Sequence, residues 1–192
     1  MSPQLPSTPP PWDLLRSGLG TYRGPIHFPA VSETNYRGQR LYNLSLQSIV
    51  NNAPLQTVQF AGWRFLARDP RTHKAVAVYV NPNSHPPTPA ITSISTGPGV
   101  EEALAAAVRI AGPVPLDGGP TYEVVMIPGL STEAMWVKPP GDATEWFVPY
   151  HTKVGGLEGD QIFSFETFIK ALSSMAATVL DFERQDLQRP KY

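Results

Sequence analysis

The sequence predicts an α+β protein with a mainly antiparallel sheet, formed by a hairpin over 57–80 and a three-strand meander over 121–150, packed by helices near 98–111 and 164–184. Three observations carry that reading. The 22 prolines mostly bracket structured runs instead of interrupting them, where a missing N–H and a fixed φ do least harm. Most of the runs between them have the residue pattern of strands. Two helical patterns stand among these strands without the regular βαβ alternation of a parallel sheet.

The elements follow in order. Residues 1–24 hold Pro3, Pro6, Pro9, Pro10 and Pro11 among Ser and Gly, and read as an extended or flexible arm with Trp12, Leu14 and Leu15 as apolar anchors. The P-x-x-P spacing in this arm is common among loop prolines and gives no specific ligand. A single globular domain is expected over 25–184, followed by a polar tail over 185–192. Residues 41–50 fit two patterns. Tyr42, Leu46, Ile49 and Val50 share a helical face, whereas Tyr42, Leu44 and Leu46 alternate as in a strand. A short helix is the reading taken, stopped by Asn51, Asn52 and Pro54.

Residues 57–67 form a strand with a change of phase at Gly62: Val58 and Phe60 share one face, Trp63 and Phe65 the other, and a bulge would reconcile them. Asp69-Pro70 opens a turn, and 74–80 returns as the second strand of the hairpin. A proline-rich loop over 81–89 leads to a short strand near 90–95. Pro98 begins a helix whose first turn holds Glu101 and Glu102, favoured at the positive end of the helix dipole; Gly112-Pro113 ends it. Strands over 122–127, 133–138 and 145–150 are separated by Pro128-Gly129 and Pro139-Pro140-Gly141. The last helix has a continuous apolar stripe from Phe165 through Leu172 to Leu180, with Ser164 as N-cap and Phe163 and Phe168 spaced as a hydrophobic staple. No internal sequence repeat is evident.

Composition limits the function classes. The net charge of -1 supplies no field to draw nucleic acid or an anionic membrane. With no cysteine there is no disulfide scaffold, thiol catalysis or thiolate metal site, which fits a reducing cytoplasm. Residues 1–12 lack the basic and apolar regions of a secretory signal, and no apolar run approaches the ~20 residues of a membrane helix, so a soluble cytoplasmic protein is expected. Charged residues make up 16% of the chain against an average of ~25%, and 41–63 and 75–100 contain none. Several strands are also apolar on both faces, as at Val76/Ala77, Val125/Met126, Met135/Trp136 and Trp146/Phe147. Either helices cover both faces of the sheet or a second subunit covers one.

No motif marks a reaction. Gly97-Pro98-Gly99 matches neither a phosphate loop nor a dinucleotide fingerprint, and Glu101 and Glu102 would repel an anion there. Ser131 lacks the G-x-S-x-G setting of a nucleophile. His27, His73, His85 and His151 show no metal-ligand spacing, so no metal and no cofactor are expected. His151 stands beside an aromatic cluster and is the acid/base candidate, with Asp142 and Glu145 the nearest carboxylates. Arg64, Arg68, Arg71 and Lys74 gather near Trp63 and Phe65 as a nucleic-acid candidate, which the overall charge disfavours. Trp136, Trp146 and Tyr150 are candidate anchors for a protein partner, if exposed. The expected function is a non-catalytic protein-binding or self-associating module, with a protein partner or homo-oligomer and no membrane. The alternative is a small hydrolase or ligand-binding enzyme with a pocket near the 145–151 strand end.

Overall fold

The computed structural model describes residues 10–83, 90–111, 121–140, 144–157 and 161–187. Along them run α1 (Trp12–Thr21), β1 (Arg37–Asn43), α2 (Leu46–Val50), β2 (Gln59–Arg68), β3 (Ala75–Val80), β4 (Ile91–Thr96), α3 (Pro98–Ala111), β5 (Thr121–Ile127), β6 (Thr132–Lys138), β7 (Trp146–His151) and α4 (Phe165–Leu187). The α+β class is as expected, but the sheet is larger than a hairpin plus a meander. It has seven strands in the order β4-β3-β2-β1-β5-β6-β7, and the pairs β2–β3, β3–β4, β5–β6 and β6–β7 are antiparallel. The described residues form two compact units, one drawn from 10–41 and 60–111, the other from 42–59 and 121–187.

In the first unit the expected hairpin is present, with β2 and β3 in register from Trp63↔Val80 to Arg68↔Ala75. Asp69 fixes its turn by accepting from the backbone N–H of Arg71 at 2.8 Å, Thr72 at 3.2 Å and His27 at 3.3 Å. Burial would raise the Asp69 pKa, but these N–H groups and the Thr72 side chain outweigh it and hold the carboxyl below the ordinary aspartate value. Val58 lies ahead of β2 and packs in the apolar cluster of the second unit, so it does not share a strand face with Phe60; at Gly62 φ is +137° and a Cβ would lie 2.7 Å from the Val80 carbonyl oxygen. Beyond it Trp63, Phe65 and Ala67 join Val76, Val78 and Val80 in one apolar cluster, while Phe60 stays exposed.

Residues 12–21 correct the expectation of an extended segment. They form α1, with Leu15 fully buried and Trp12 packed on Phe65 at 5.0 Å between ring centroids. Trp12, Leu15 and Leu19 recur at helical spacing, and Asp13 sits in the first turn, where the dipole favours it. The preceding prolines end just before the helix, where they do not interrupt it. Against the other side of β3 lies α3, burying Val100, Ala103, Leu104 and Ala107. Its Glu101 accepts from the Ala75 N–H at 2.5 Å and from Arg68 at 3.3 Å, which ties the helix start to the hairpin. Helices therefore cover both faces of β3, and its two-faced apolar pattern is satisfied within the chain.

In the second unit, residues 41–50 resolve into both patterns weighed above. Strand β1 runs to Asn43, and α2 begins only at Leu46, capped by Ser45 accepting from the Ser48 N–H at 3.0 Å. The expected meander is present: β5 pairs β6 from Thr121↔Lys138 to Ile127↔Thr132, and β7 follows with one register shift between Glu133 and Ala134. Helix α4 starts as the sequence predicts, with Ser164 accepting from the Thr167 N–H at 3.2 Å and the Phe163 and Phe168 rings 6.4 Å apart. Phe168 stacks on Phe147 at 5.3 Å, and Leu172 and Ala176 complete the buried stripe. Met175 within the expected stripe is exposed, Val179 is half-buried against the cluster, and Phe182 beyond it is exposed. Helix runs on into the expected polar tail as far as Leu187, and 188–192 lie outside the described residues. Val124, Met135 and Val137 on the reverse of these strands are buried as well. Each unit thus runs three antiparallel strands into a helix, a likeness of order that the sequence does not display.

Candidate binding surface

The two strands that end the sheet differ in how their outer edges are treated. β7 carries Pro149, and its Phe147 exchanges both backbone hydrogen bonds with Phe163, at 2.8 and 2.9 Å, so this edge has few free groups. Among the described residues β4 has neither device. Its sequence Ile-Thr-Ser-Ile-Ser-Thr contains no proline and no charge, and among the described residues it pairs only with β3. Edge strands are usually blunted by charge, proline or cover, because their free N–H and C=O groups template further pairing.

A bulge shapes the apolar side of β4. Ser93 pairs with Tyr79, but Ile91 pairs with Val80, which leaves Thr92 as the extra residue. Ile91 and Ile94 are therefore on the same face, and both pack on the Val78–Val80 cluster. Beside them α1 and β4 enclose a cleft of about 350 Å³, lined mainly by Leu14, Ser17, Gly18, Tyr22, Ile91 and Ile94. Among the described residues no charged side chain lines it. Gly18 sets how close helix and strand come, since a Cβ there would lie 2.5 Å from Ile91 Cδ1. This arrangement offers backbone hydrogen bonds along an edge and an apolar recess next to them. Among the described residues it contains no nucleophile–base pair.

The residues singled out from sequence fall elsewhere. At the 145–151 strand end, Glu133 is the cross-strand partner of His151, and the Tyr150 hydroxyl donates to Glu133 Oε2 at 2.5 Å. The Thr132 and Thr152 hydroxyls bond at 3.0 Å nearby. Trp146 and Tyr150 are half-buried. Trp136 is 4% exposed, so it is core and not an anchor for a partner. Its indole N–H donates to Glu145 at 2.9 Å, and its ring stacks on Phe147. The Lys138 ammonium sits 3.6 Å from the Trp136 ring centre and forms an ion pair with the buried Glu123. These contacts hold the meander together.

The basic cluster separates too. Arg64 is 1% exposed, and its Nε and one terminal nitrogen donate to Gln39 Oε1 at 3.1 and 3.0 Å, so it cannot reach a phosphate. Arg68 is engaged with Glu101 and the His73 carbonyl, which leaves Arg71 and Lys74 on the exposed turn. His85 and Asp142 lie outside the described residues. Among the described residues no group of three His, Cys, Asp or Glu side chains could hold a metal ion, and no helix is long and apolar enough to cross a membrane.

Sequence reasoning missed the cleft because it joins Gly18 to Ile91 across distant segments. Two signals pointed that way: the helical spacing of Trp12, Leu15 and Leu19, and the uncharged run over 75–100 that contains the edge strand. Comparison of the chain with protein-family models, with curated proteins and with solved structures finds no match.

Proposed function

We propose that the chain is a non-catalytic protein-binding module whose partner adds to the sheet at the outer edge of β4, beside the α1–β4 cleft. The observation that carries this reading is an uncharged, proline-free edge strand next to an apolar recess, in a sheet whose opposite end is protected. Strand addition draws affinity from main-chain hydrogen bonds and specificity from side-chain recesses next to the edge, and β4 offers both. The absence of cysteine supports a cytoplasmic setting.

The enzyme reading has one observation in its favour, the placement of Glu133 opposite His151. Against it, Glu133 already accepts the Tyr150 hydroxyl, and the cleft described above lies in the other unit.

A photo-crosslinking residue at Ser93 tests the proposal, with the same residue at Ser174 on the exposed side of α4 as control. Irradiation of cells that make each protein should give discrete protein adducts from position 93 and none from 174. Equal adduct patterns, or none from 93, would overturn it.

A further inference from the structure

We infer that the partner at β4 is a second copy of this chain, paired antiparallel about a two-fold axis normal to the sheet; this rests on the reading of β4 as the binding edge. Three features favour a copy over an unrelated strand. The first is charge. With no charged residue over 75–100, β4 offers nothing to steer or select a charged partner, and nothing to repel its own copy.

The second is the side-chain pattern. In a two-fold antiparallel pair the faces of the sheet are preserved, so residues directly opposite each other must point to the same side. Placing Ile94 on the axis meets this condition. Ile94 then faces its counterpart on the α1 side, and Ser93 lies opposite Ser95 of the second copy. The bulge keeps Ile91 on that same side, where it lines its own copy's recess, and Ile94 is the apolar residue that meets its counterpart at the axis. Apolar pairs across neighbouring strands stabilise such pairing.

The third is layering. Both α1 and α3 reach β4, one on each face. The same axis keeps α1 of both copies on one face of the joined sheet and α3 of both on the other. An isolated extended peptide would extend the sheet but neither helical layer.

The test measures the mass of the full chain by light scattering behind a sizing column, over a range of micromolar concentrations. The wild-type protein is expected to approach twice the 21.0 kDa chain. The variant S93K/S95K places like charges opposite each other and should halve that mass, as should S93D/S95D. Mixing the two variants brings Lys opposite Asp and should restore the dimer, which separates a lost interface from a lost fold. A wild-type monomer at every concentration, while crosslinks from position 93 to another protein persist, would overturn the copy as partner and leave the binding edge standing. A dimer that survives both charge variants would overturn the copy as the partner at β4, while the crosslinks from position 93 decide separately whether β4 is a binding edge.

Discussion

Replacing Leu15 with alanine tests whether residues 12–21 belong to the folded body or hang from it. Leu15 has no exposed surface and sits with Trp63, Phe65 and Val78, while Trp12 closes over Phe65. Truncation removes three carbons, worth ~0.8 kcal/mol each in transfer out of water. The rings around it do not collapse fully into the space, so a cavity term of ~1 kcal/mol adds to this. The total is ~3–4 kcal/mol. For a chain of this size each kcal/mol moves the thermal midpoint by ~2–4 °C, so a fall of roughly 6–16 °C is expected. Circular dichroism melts at fixed protein concentration would measure it, with Arg16→Ala as the exposed control in the same helix, expected to shift stability by less than ~0.5 kcal/mol. Equal midpoints for Leu15→Ala and wild type would mean that α1 is not packed as described, and the cleft beside β4 would go with it.

Leu172→Ala in α4 should cost ~2–5 kcal/mol by denaturant titration, and Ser174→Ala close to nothing, because only the former faces the Phe147–Phe168 stack. Gly62→Ala should lose ~1–3 kcal/mol through its positive φ, and more through the clash with the Val80 carbonyl; a neutral result would refute the backbone geometry at this position in β2. Asp69 has a lowered folded pKa, so its contribution to stability is present above the unfolded value of ~3.9 and is lost as pH falls through the folded pKa. The stability gap between wild type and Asp69→Ala should therefore be constant near neutral pH and narrow at acid pH; a gap that widens on acidification would contradict the assignment.

What could be read from the sequence was what local patterning encodes. The β2–β3 hairpin, the β5–β7 meander, α3 and the capped start of α4 all rest on periodicity and turn residues within short windows. β1 escaped because its first half, Arg-Gly-Gln-Arg, does not look like a strand; Gln39 is buried by long-range contact. α1 was hidden by the prolines before it and by its two glycines, one of which is needed for contact with Ile91. Arg64 was misplaced for a related reason. Alternation puts it on the face opposite Trp63 and Phe65, and in a strand covered on both sides that face is not water. The binding edge is legible only in part, because charge depletion can be counted in a sequence, whereas which strand ends a sheet is a property of topology.

Amide hydrogen exchange of residues 91–96 at increasing protein concentration tests the central claim most directly. If β4 pairs with a second copy, exchange there slows as concentration rises, while exchange in 146–151 at the protected end of the sheet stays unchanged. Exchange at 91–96 that is fast and independent of concentration would contradict the account.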